Sequence, residues 1–277
     1  MDNDFNMENL FDIKGRVAVI TGGYGILGSS MAKSLAGQGV HVAILGRRAE
    51  KGEALAAELT AIGTEACFVQ ADVLNREQLE KAKDQVMAKW GRVDILINAA
   101  GGNQPGATIG PDKTIFDLDP EAYKSVVDLN LNGTVLPTLV FAAEMVKQKK
   151  GSVINISSMS AQAVITRVVG YSSAKAAIDN FTRWMSVEMA KKFGEGIRVN
   201  AIAPGFFLTE QNRTLLTNPD GSLTDRAKDV VRATPFGRMG EPEELNGAIV
   251  FYASDASKFV TGTVLPIDGG FSIFSGV

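Results

Sequence analysis

The chain has 277 residues, of which 45% are hydrophobic and 21% charged, a balance typical of soluble globular proteins. Its length suits one large α/β domain or two small ones. The net charge of −3 provides no field for holding nucleic acid, and no apolar run approaches the length of a membrane span. Because Cys67 is the only cysteine and His41 the only histidine, neither a disulfide framework nor a structural metal site is expected. The first eight residues are polar and acidic, unlike a signal peptide, so we expect a cytoplasmic protein.

A glycine-rich turn follows the first predicted strand, residues 16–21, and leads into a helix from Ser29. Gly23, Gly25 and Gly28 fit the spacing Gly-x-Gly-x-x-Gly, which is informative when a strand precedes it and a helix follows. Glycines allow a tight turn, and the helix N-terminus offers free N–H groups to a pyrophosphate. We therefore expect a dinucleotide site here. The predicted contacts in this turn are Gly22, Tyr24, Gly25, Ile26 and Leu27.

The second predicted strand, residues 40–45, ends in Gly46, Arg47 and Arg48. A dinucleotide fold usually places an acid at this point to hold the adenosine ribose. Here the acid is absent, and two guanidinium groups can accept a 2′-phosphate. The pattern favours NADP(H) over NAD(H), although solvated arginines capping the next turn would show the same pattern.

Small and polar residues follow the next two strands, residues 65–69 and 93–97. Asp72 and Val73 come after the third strand, where Asp72 can either contact an adenine edge or stabilise a turn. Asn98, Ala99 and Gly101 follow the fourth strand, where small residues let a cofactor lie against the backbone. Helices are predicted over residues 49–61 and 75–90.

A long helix is predicted from about Pro120 to Lys149. It contains Asn130, and Gly133 and Pro137 should distort it. A buried asparagine at such a place is usually a structural bracket, but it can also stabilise a kink and hold a water.

Tyr171 and Lys175 are four residues apart, so on a helix they lie on one face within reach of each other. Ser158 follows the fifth predicted strand, residues 152–156, and its hydroxyl can meet the phenol there. A lysine cation about 4 Å away, at roughly 4 kcal/mol, would lower the phenol pKa of about 10 by at most about three units. An ordinary helix with a surface lysine has the same spacing, so the rest of the chain must decide.

The sixth predicted strand, residues 197–202, leads to Pro204 and Gly205, and the seventh covers residues 263–267. Between them, residues 206–240 are rich in turn residues and weakly periodic, as expected of a substrate lid. Strands alternate with helices throughout, without a repeat or linker. We therefore predict a single domain over residues 1–277, with one doubly wound parallel sheet of seven strands and helices on both faces.

Together these motifs resemble the short-chain dehydrogenase/reductase family across essentially the whole chain. The family's Ser, Tyr and Lys match Ser158, Tyr171 and Lys175, and its helix asparagine matches Asn130. The resemblance implies that Tyr171 exchanges a proton with the substrate oxygen, Ser158 polarises the carbonyl, and Lys175 holds the nicotinamide ribose and lowers the tyrosine pKa. Asn130 would anchor a proton-relay water.

The resemblance also extends the predicted cofactor site. The family's Asn-Asn-Ala-Gly strand end appears as Asn98-Ala99-Ala100-Gly101, and Pro204, Gly205 and Thr209 match the stretch that contacts the nicotinamide. Tyr171 and Lys175 would also touch the cofactor. The glycine turn departs from the family pattern, since Gly25 stands one position early and Ile26 takes the expected glycine's place.

Residues 21–28, 100–103 with Pro105, 205–213 and 269–277 give a narrower resemblance, to the D-mannonate oxidoreductases (fructuronate reductases) of this family. The side chains expected near the nicotinamide are rich in amides and guanidinium groups, which suit a polyhydroxylated acid better than a steroid or long acyl chain. The candidate substrate residues are Asn103, Gln162, Arg167 and Arg213, with Gln104, Gln211 and Asn212 nearby.

Three alternatives to the sugar-acid enzyme stay open. Two are enzymes, a gluconate 5-dehydrogenase and a 3-oxoacyl-thioester reductase. The third is a catalytically silent protein that senses a nicotinamide or serves as a scaffold. The family resemblance also implies a homo-oligomer, a tetramer, and the apolar tail of residues 271–277 could pack on a neighbouring subunit or on its own lid.

Overall fold

The fold is described from a computed structural model over residues 10–209 and 212–276. The sequence-based expectations for residues 1–8 and for Gln211 lie outside the described residues. Each predicted strand is present, with ends that differ by one or two residues from the prediction. The strands are β1 Val17–Thr21, β2 His41–Gly46, β3 Ala66–Gln70, β4 Ile95–Asn98, β5 Gly151–Ile156, β6 Ile197–Pro204 and β7 Val264–Ile267.

All seven strands pair in parallel in one sheet of order β3-β2-β1-β4-β5-β6-β7. The chain therefore winds outward in one direction from β1 and in the other from β4, which confirms the predicted doubly wound sheet. In such sheets the carboxyl ends of the two central strands leave a crevice where a ligand can bind.

The helices flank this sheet. They are α1 Ile26–Gly37, α2 Ala49–Ala61, α3 Arg76–Trp90, α4 Pro120–Val127, α5 Gly133–Gln148, α6 Val169–Phe193, α7 Arg213–Leu216, α8 Asp225–Ala233 and α9 Asn246–Ala253. The lid of residues 206–240 thus carries the two short helices α7 and α8. A 3₁₀ turn, Pro242–Leu245, immediately precedes α9.

The long helix predicted over residues 120–149 is interrupted by a π-helical turn, Asp128–Asn132. The predicted distortion is therefore real, but it falls before Gly133 rather than at Pro137. Asn130 lies in this turn, and its Nδ2 donates to the Val126 carbonyl oxygen at 2.8 Å. A π turn of this kind is often found at a functional site.

Two apolar layers hold the helices to the sheet. Successive strand residues point to opposite faces, so Ile20 of β1 packs into one layer with Met31 of α1, and Val19 packs into the other with Phe141 of α5. Because both faces are covered, the central strands are apolar throughout. By length and composition, the stretch Pro120–Gln148 could cross a membrane, but half of its most apolar window is buried inside the protein.

Candidate active site

The glycine turn after β1 depends on two of its glycines. Gly22 has a φ of +64°, which favours glycine, and its N–H donates to the Leu45 carbonyl oxygen at 2.9 Å. A Cβ on Gly28 would lie 2.6 Å from the Gly22 oxygen and 2.8 Å from the Gly23 Cα, so no side chain fits there. Gly25 has a φ of −73°, and its nearest neighbour would be 3.4 Å from a Cβ. The early position of Gly25 therefore leaves the two essential glycines in place.

The N-terminus of α1 is suited to an anion. Gly25 precedes the helix, no side chain caps it, and the first turn holds no acidic residue. The backbone N–H groups at this end and the positive end of the helix dipole therefore face outward from an exposed turn. These residues fit the pyrophosphate of a dinucleotide, and Ile26 and Leu27 begin the helix at this point.

Tyr24 explains why no acid ends β2. Its hydroxyl accepts hydrogen bonds from the backbone N–H groups of Arg47 at 3.0 Å and Arg48 at 3.2 Å. A side chain at Gly46 would collide with the Tyr24 ring, so an aspartate or glutamate cannot stand there. Burial raises the pKa of Tyr24, but the hydrogen bonds from Arg48 and Arg47 outweigh it and leave that pKa lowered. Sequence reasoning placed Tyr24 in the turn but did not find this contact.

The two arginines at the end of β2 differ in their surroundings. The guanidinium of Arg48 lies over the Tyr24 ring, 4.9 Å from its centroid. The Arg47 side chain is 70% exposed and lies 3.9 Å from Asp72, a distance at which an exposed pair contributes little. Both arginines are exposed, and the weak pair with Asp72 leaves the Arg47 guanidinium accessible to a phosphate.

The residues after β3 and β4 are partly structural. Asp72 Oδ1 accepts from the Leu74 N–H at 3.0 Å, as the turn interpretation predicted, and Val73 is buried in the core. The Asn98 side chain is buried and donates to Thr138 Oγ1 at 2.9 Å and Asn155 Oδ1 at 2.8 Å. The Nδ2 group of Asn98 is therefore used within the fold, while its Oδ1 has no hydrogen-bond partner among the described residues, and Asn98 stays a predicted cofactor contact.

The backbone beyond β4 is held by a residue that sequence reasoning missed. Thr21 Oγ1, at the end of β1, accepts from the N–H groups of Ala99 and Ala100, both at 3.1 Å. Gly101 follows, where a Cβ would lie 2.7 Å from Asn130 Oδ1 and 3.4 Å from Lys175 Nζ. This part of the predicted cofactor site thus lies directly beside the predicted catalytic residues.

The predicted catalytic hydroxyls line one cavity. Ser158 follows β5 and caps the 3₁₀ turn Met159–Ala161, and Tyr171 lies in the first turn of α6. Both line a cavity of about 530 Å³. Lys175 is 4% exposed, its Nζ donates to the Ile156 carbonyl oxygen at 2.7 Å, and it lies 5.4 Å from the Tyr171 ring centroid. The sequence spacing therefore does place all three residues together.

The electrostatics differ from the prediction. Burial raises the pKa of Tyr171, and the hydrogen bond with Ser158 only partly opposes it. Burial lowers the pKa of Lys175 to about 8, while the nearby Asp179 carboxylate acts in the opposite direction. The expected lowering of the tyrosine pKa by lysine is thus absent here, because Lys175 is directed to the Ile156 carbonyl and the phenol is poorly solvated.

Asn130 has its side chain fully used by the fold. Its Nδ2 donates to the Gly102 carbonyl oxygen at 2.7 Å as well as to Val126, and its Oδ1 accepts from the Gly102 N–H at 3.1 Å. The side chain therefore brackets the π turn to the loop after β4. Of the two roles that the sequence left open, the geometry supports the bracket for this side chain.

Seven of the predicted site residues line the same cavity. They are Leu27, Asn103, Ser158, Tyr171, Pro204, Gly205 and Thr209. This set combines residues expected at the nicotinamide with the catalytic pair and one substrate candidate. The cavity therefore fits a nicotinamide with a small substrate beside it.

Three of the four substrate candidates do not line this cavity. Gln162 is the C-cap of the 3₁₀ turn after Ser158, and Arg213 lies exposed on α7. Arg167 has a φ of +77°, and its carbonyl oxygen accepts from the Ile109 N–H at 2.9 Å. Arg226 of α8 lines the cavity instead. Sequence reasoning missed it because nothing local distinguishes it from the other cations of an amphipathic lid helix.

Metal ligands show no clustering over residues 10–209 and 212–276, where no three His, Cys, Asp or Glu side chains are grouped to hold an ion.

Comparison with known proteins agrees with this geometry. The family model described as enoyl-(acyl carrier protein) reductase matches residues 25–272. UxuB of Bacillus subtilis (strain 168), an uncharacterized oxidoreductase, is 48% identical over 275 residues, covering 96% of this chain and 98% of that protein.

Two solved structures are similar over nearly the whole chain. A candidate D-mannonate oxidoreductase from Haemophilus influenza with bound NAD has a TM-score of 0.90 and 42% identity, covering 98% of this chain and 100% of that one. A gluconate 5-dehydrogenase from Burkholderia cenocepacia J2315, in complex with NADP and tartrate, has a TM-score of 0.84 and 32% identity, covering 95% and 98%. The fold, the Ser158–Tyr171–Lys175 set and these similarities establish that the chain belongs to the short-chain dehydrogenase/reductase family.

Proposed function

We propose that this NAD(P)-dependent oxidoreductase transfers a hydride between a nicotinamide and the carbonyl or alcohol carbon of a sugar acid of the fructuronate/mannonate type. The observation that carries the proposal is the polar wall of the cavity beside Tyr171. Asn103, Ser160 and Arg226 line the cavity together with Tyr171. Amide, hydroxyl and guanidinium groups can hydrogen-bond the hydroxyl groups and the carboxylate of a sugar acid.

The chemistry follows from the positions of the hydroxyl groups. In the reductive direction, Tyr171 donates its proton to the carbonyl oxygen, and Ser158 hydrogen-bonds the same oxygen as it gains charge. When bound, the nicotinamide supplies the hydride to the carbonyl carbon or accepts it from the alcohol. The raised pKa of Tyr171 keeps the phenol protonated for this donation. In the oxidative direction the same phenol must first lose its proton, a loss that its burial opposes.

For the cofactor we favour NADP(H) over NAD(H). Tyr24 excludes an acid from Gly46, so no carboxylate at the end of β2 would repel a 2′-phosphate. Arg47 provides an exposed guanidinium beside that position. The two similar structures bind different cofactors, NAD in one and NADP in the other. Similarity to these structures therefore does not decide which cofactor this chain uses.

The direct test is a steady-state assay of the whole protein with both reduced cofactors. The panel contains D-fructuronate, 5-ketogluconate and an acetoacetyl thioester. We expect the highest kcat/KM with D-fructuronate and NADPH. Activity with the thioester alone would refute the sugar-acid assignment, and a preference for 5-ketogluconate would favour a gluconate 5-dehydrogenase.

A second candidate, a 3-oxoacyl-thioester reductase, has one specific observation in its favour. The lid contributes apolar side chains to the cavity, among them Phe206, Leu215 and Leu216. The same side chains can also cover the nicotinamide, whose expected contacts Pro204 and Thr209 lie beside them. The substrate panel separates the two functions.

Self-association into a homotetramer is part of the proposal, as is a cytoplasmic location. Apolar side chains are exposed on α6, where Trp184 is 60% and Val187 57% exposed, and Leu139 is exposed on α5. The edge strand β7 exposes Leu265, and Ile273 of the C-terminal tail is also exposed. Exposed apolar patches of this kind often mark contacts between subunits. Light scattering coupled to size-exclusion chromatography measures the mass directly.

A further inference from the structure

We propose that Arg226, on the lid helix α8, binds the carboxylate of the substrate. The inference rests on the proposed function, because it presumes that the substrate is a sugar acid. Arg226 lines the cavity that also contains Ser158 and Tyr171, and it is half-buried there. A guanidinium facing the same cavity as the proton donor can hold one end of a short acid while the other end reacts.

The hydrogen-bonding capacity of Arg226 is largely unused. A guanidinium has five N–H donors. Its Nη1 donates to Thr166 Oγ1 and its Nη2 to the Thr166 carbonyl oxygen, both at 3.3 Å. Both partners are neutral and both distances are long for a charged donor. The planar fork is therefore free to bind a carboxylate in bidentate fashion.

Unlike Arg226, the other two cations of α8 form ion pairs with carboxylates. Lys228 forms an ion pair with Asp225 at 2.9 Å, and Arg232 with Asp229 at 2.7 Å. Over residues 10–209 and 212–276, no carboxylate oxygen lies within the 4 Å of an ion pair from Arg226. Its neighbours on the helix are thus neutralised at the surface, while the cation in the cavity is not.

The surroundings of Arg226 favour a bound anion. Burial lowers the pKa of its guanidinium, and the nearby positive charge of Arg167 lowers it further, with Asp229 acting weakly in the opposite direction. Two arginines without an intervening carboxylate produce a positive potential, which a substrate carboxylate would offset. Arg167, a substrate candidate that does not line the cavity, thus contributes through its charge.

The position of Arg226 also connects the lid to the catalytic helix. Thr166 lies in the loop that leads into α6 and Tyr171, and the next residue, Arg167, bonds through its carbonyl to Ile109 on the far side of that loop. A carboxylate bound at Arg226 would therefore contact the lid where the lid meets this loop. We expect acid substrates, and not neutral ones, to benefit from that contact.

The test compares substrates that differ only in the carboxylate. D-Fructose carries CH₂OH where D-fructuronate carries the carboxylate, so each variant is assayed with both carbonyl compounds. For Arg226→Ala we expect the KM for D-fructuronate to rise at least about tenfold, as for loss of a charged hydrogen bond, while kcat/KM for D-fructose changes less than about twofold. Arg226→Lys should recover part of the loss, because it keeps the charge without the fork.

Arg232→Ala is the matched control, since Arg232 lies on the same helix with an 80% exposed side chain. The Arg232→Ala variant should leave the KM for D-fructuronate and the kcat/KM for D-fructose unchanged. A second readout independent of turnover is calorimetric binding of D-mannonate and D-mannitol to the protein saturated with reduced cofactor. Arg226→Ala should weaken the binding of D-mannonate at least about tenfold and leave the binding of D-mannitol unchanged.

The outcomes separate the two proposals. If the wild-type protein prefers D-fructuronate but Arg226→Ala keeps that preference, or loses activity with both substrates equally, the assignment of Arg226 is wrong and the proposed function stands. If the wild-type protein uses only the thioester, or binds D-mannitol as well as D-mannonate, the sugar-acid function fails and the assignment of Arg226 fails with it.

Discussion

Lys175 allows a quantitative prediction about stability, because its charge is buried. Its pKa falls from 10.5 to about 8 on burial in the fold. Below pH 8 the lysine is charged in both the folded and the unfolded chain, so the cost of burying the charge is fully present. Between pH 8 and 10.5 the folded chain loses this proton while the unfolded chain keeps it. The unfolded state then binds more protons, so the free energy of unfolding rises with pH.

The magnitude follows from the two pKa values. At about 1.4 kcal/mol per pKa unit, the full window corresponds to about 3 kcal/mol. Replacing Lys175 by methionine, which has similar length and no charge, removes the effect. Between pH 7 and pH 9.5, the free energy of unfolding of the wild type relative to Lys175→Met should therefore rise by about 2 kcal/mol.

Urea unfolding followed by circular dichroism at the two pH values measures this difference. The upper pH stays below the range in which Tyr171, whose pKa is raised by burial, would ionise. Lys191→Met is the control, because Lys191 is exposed near the end of the same helix. The difference in free energy of unfolding between wild type and Lys191→Met should change by less than about 0.5 kcal/mol between the two pH values. A constant difference between wild type and Lys175→Met would show that Lys175 keeps an ordinary pKa, and the electrostatic description of the site would be wrong.

Three further predictions concern the reaction and the cofactor site. Tyr171→Phe removes the proton donor and should reduce kcat at least about 10²-fold. Cofactor affinity, measured by fluorescence quenching, should change little. A loss of kcat much smaller than this would mean that another group protonates the substrate. Gly28→Ala places a Cβ 2.6 Å from the Gly22 oxygen and should destabilise the fold by about 1–3 kcal/mol in thermal unfolding. Gly25→Ala, with 3.4 Å of clearance, should leave the stability unchanged, and equal losses for the two variants would refute the steric argument. In titrations of the protein, Arg47→Ala should weaken the binding of NADPH at least about tenfold and that of NADH hardly at all. Equal losses of affinity for the two cofactors would exclude a contact between Arg47 and the 2′-phosphate.

Local patterns were sufficient for the architecture of this chain. Strand and helix periodicities depend on backbone geometry over a few residues, so the seven strands and their alternation with helices could be predicted to within a residue or two. The spacing of Tyr171 and Lys175 on one helix is equally local. The π turn at Asp128–Asn132 could be predicted as a distortion, but its exact position depends on the Asn130 side chain reaching Gly102 and Val126.

Contacts between distant segments were beyond such patterns. Tyr24 closes the space beside Gly46, and this explains the missing acid better than the arginines that follow it. Asn98 has an amide of the kind that binds ligands, but its Nδ2 donates to Thr138 and Asn155 within the fold. Tertiary packing decides which amide groups form hydrogen bonds within the fold and which can bind a ligand. Spacing along the sequence does not predict this.

The sheet, the glycine turn and the grouping of Ser158, Tyr171 and Lys175 could be predicted, because each depends on spacing along a strand or helix. Which charges line the cavity depends instead on how distant segments pack. Arg213 is exposed on α7, while Arg226 on α8 lines the cavity that contains Tyr171. Burial likewise reversed the expected effect on the Tyr171 pKa, since desolvation is set by all the segments that surround a side chain and not by its neighbours in sequence.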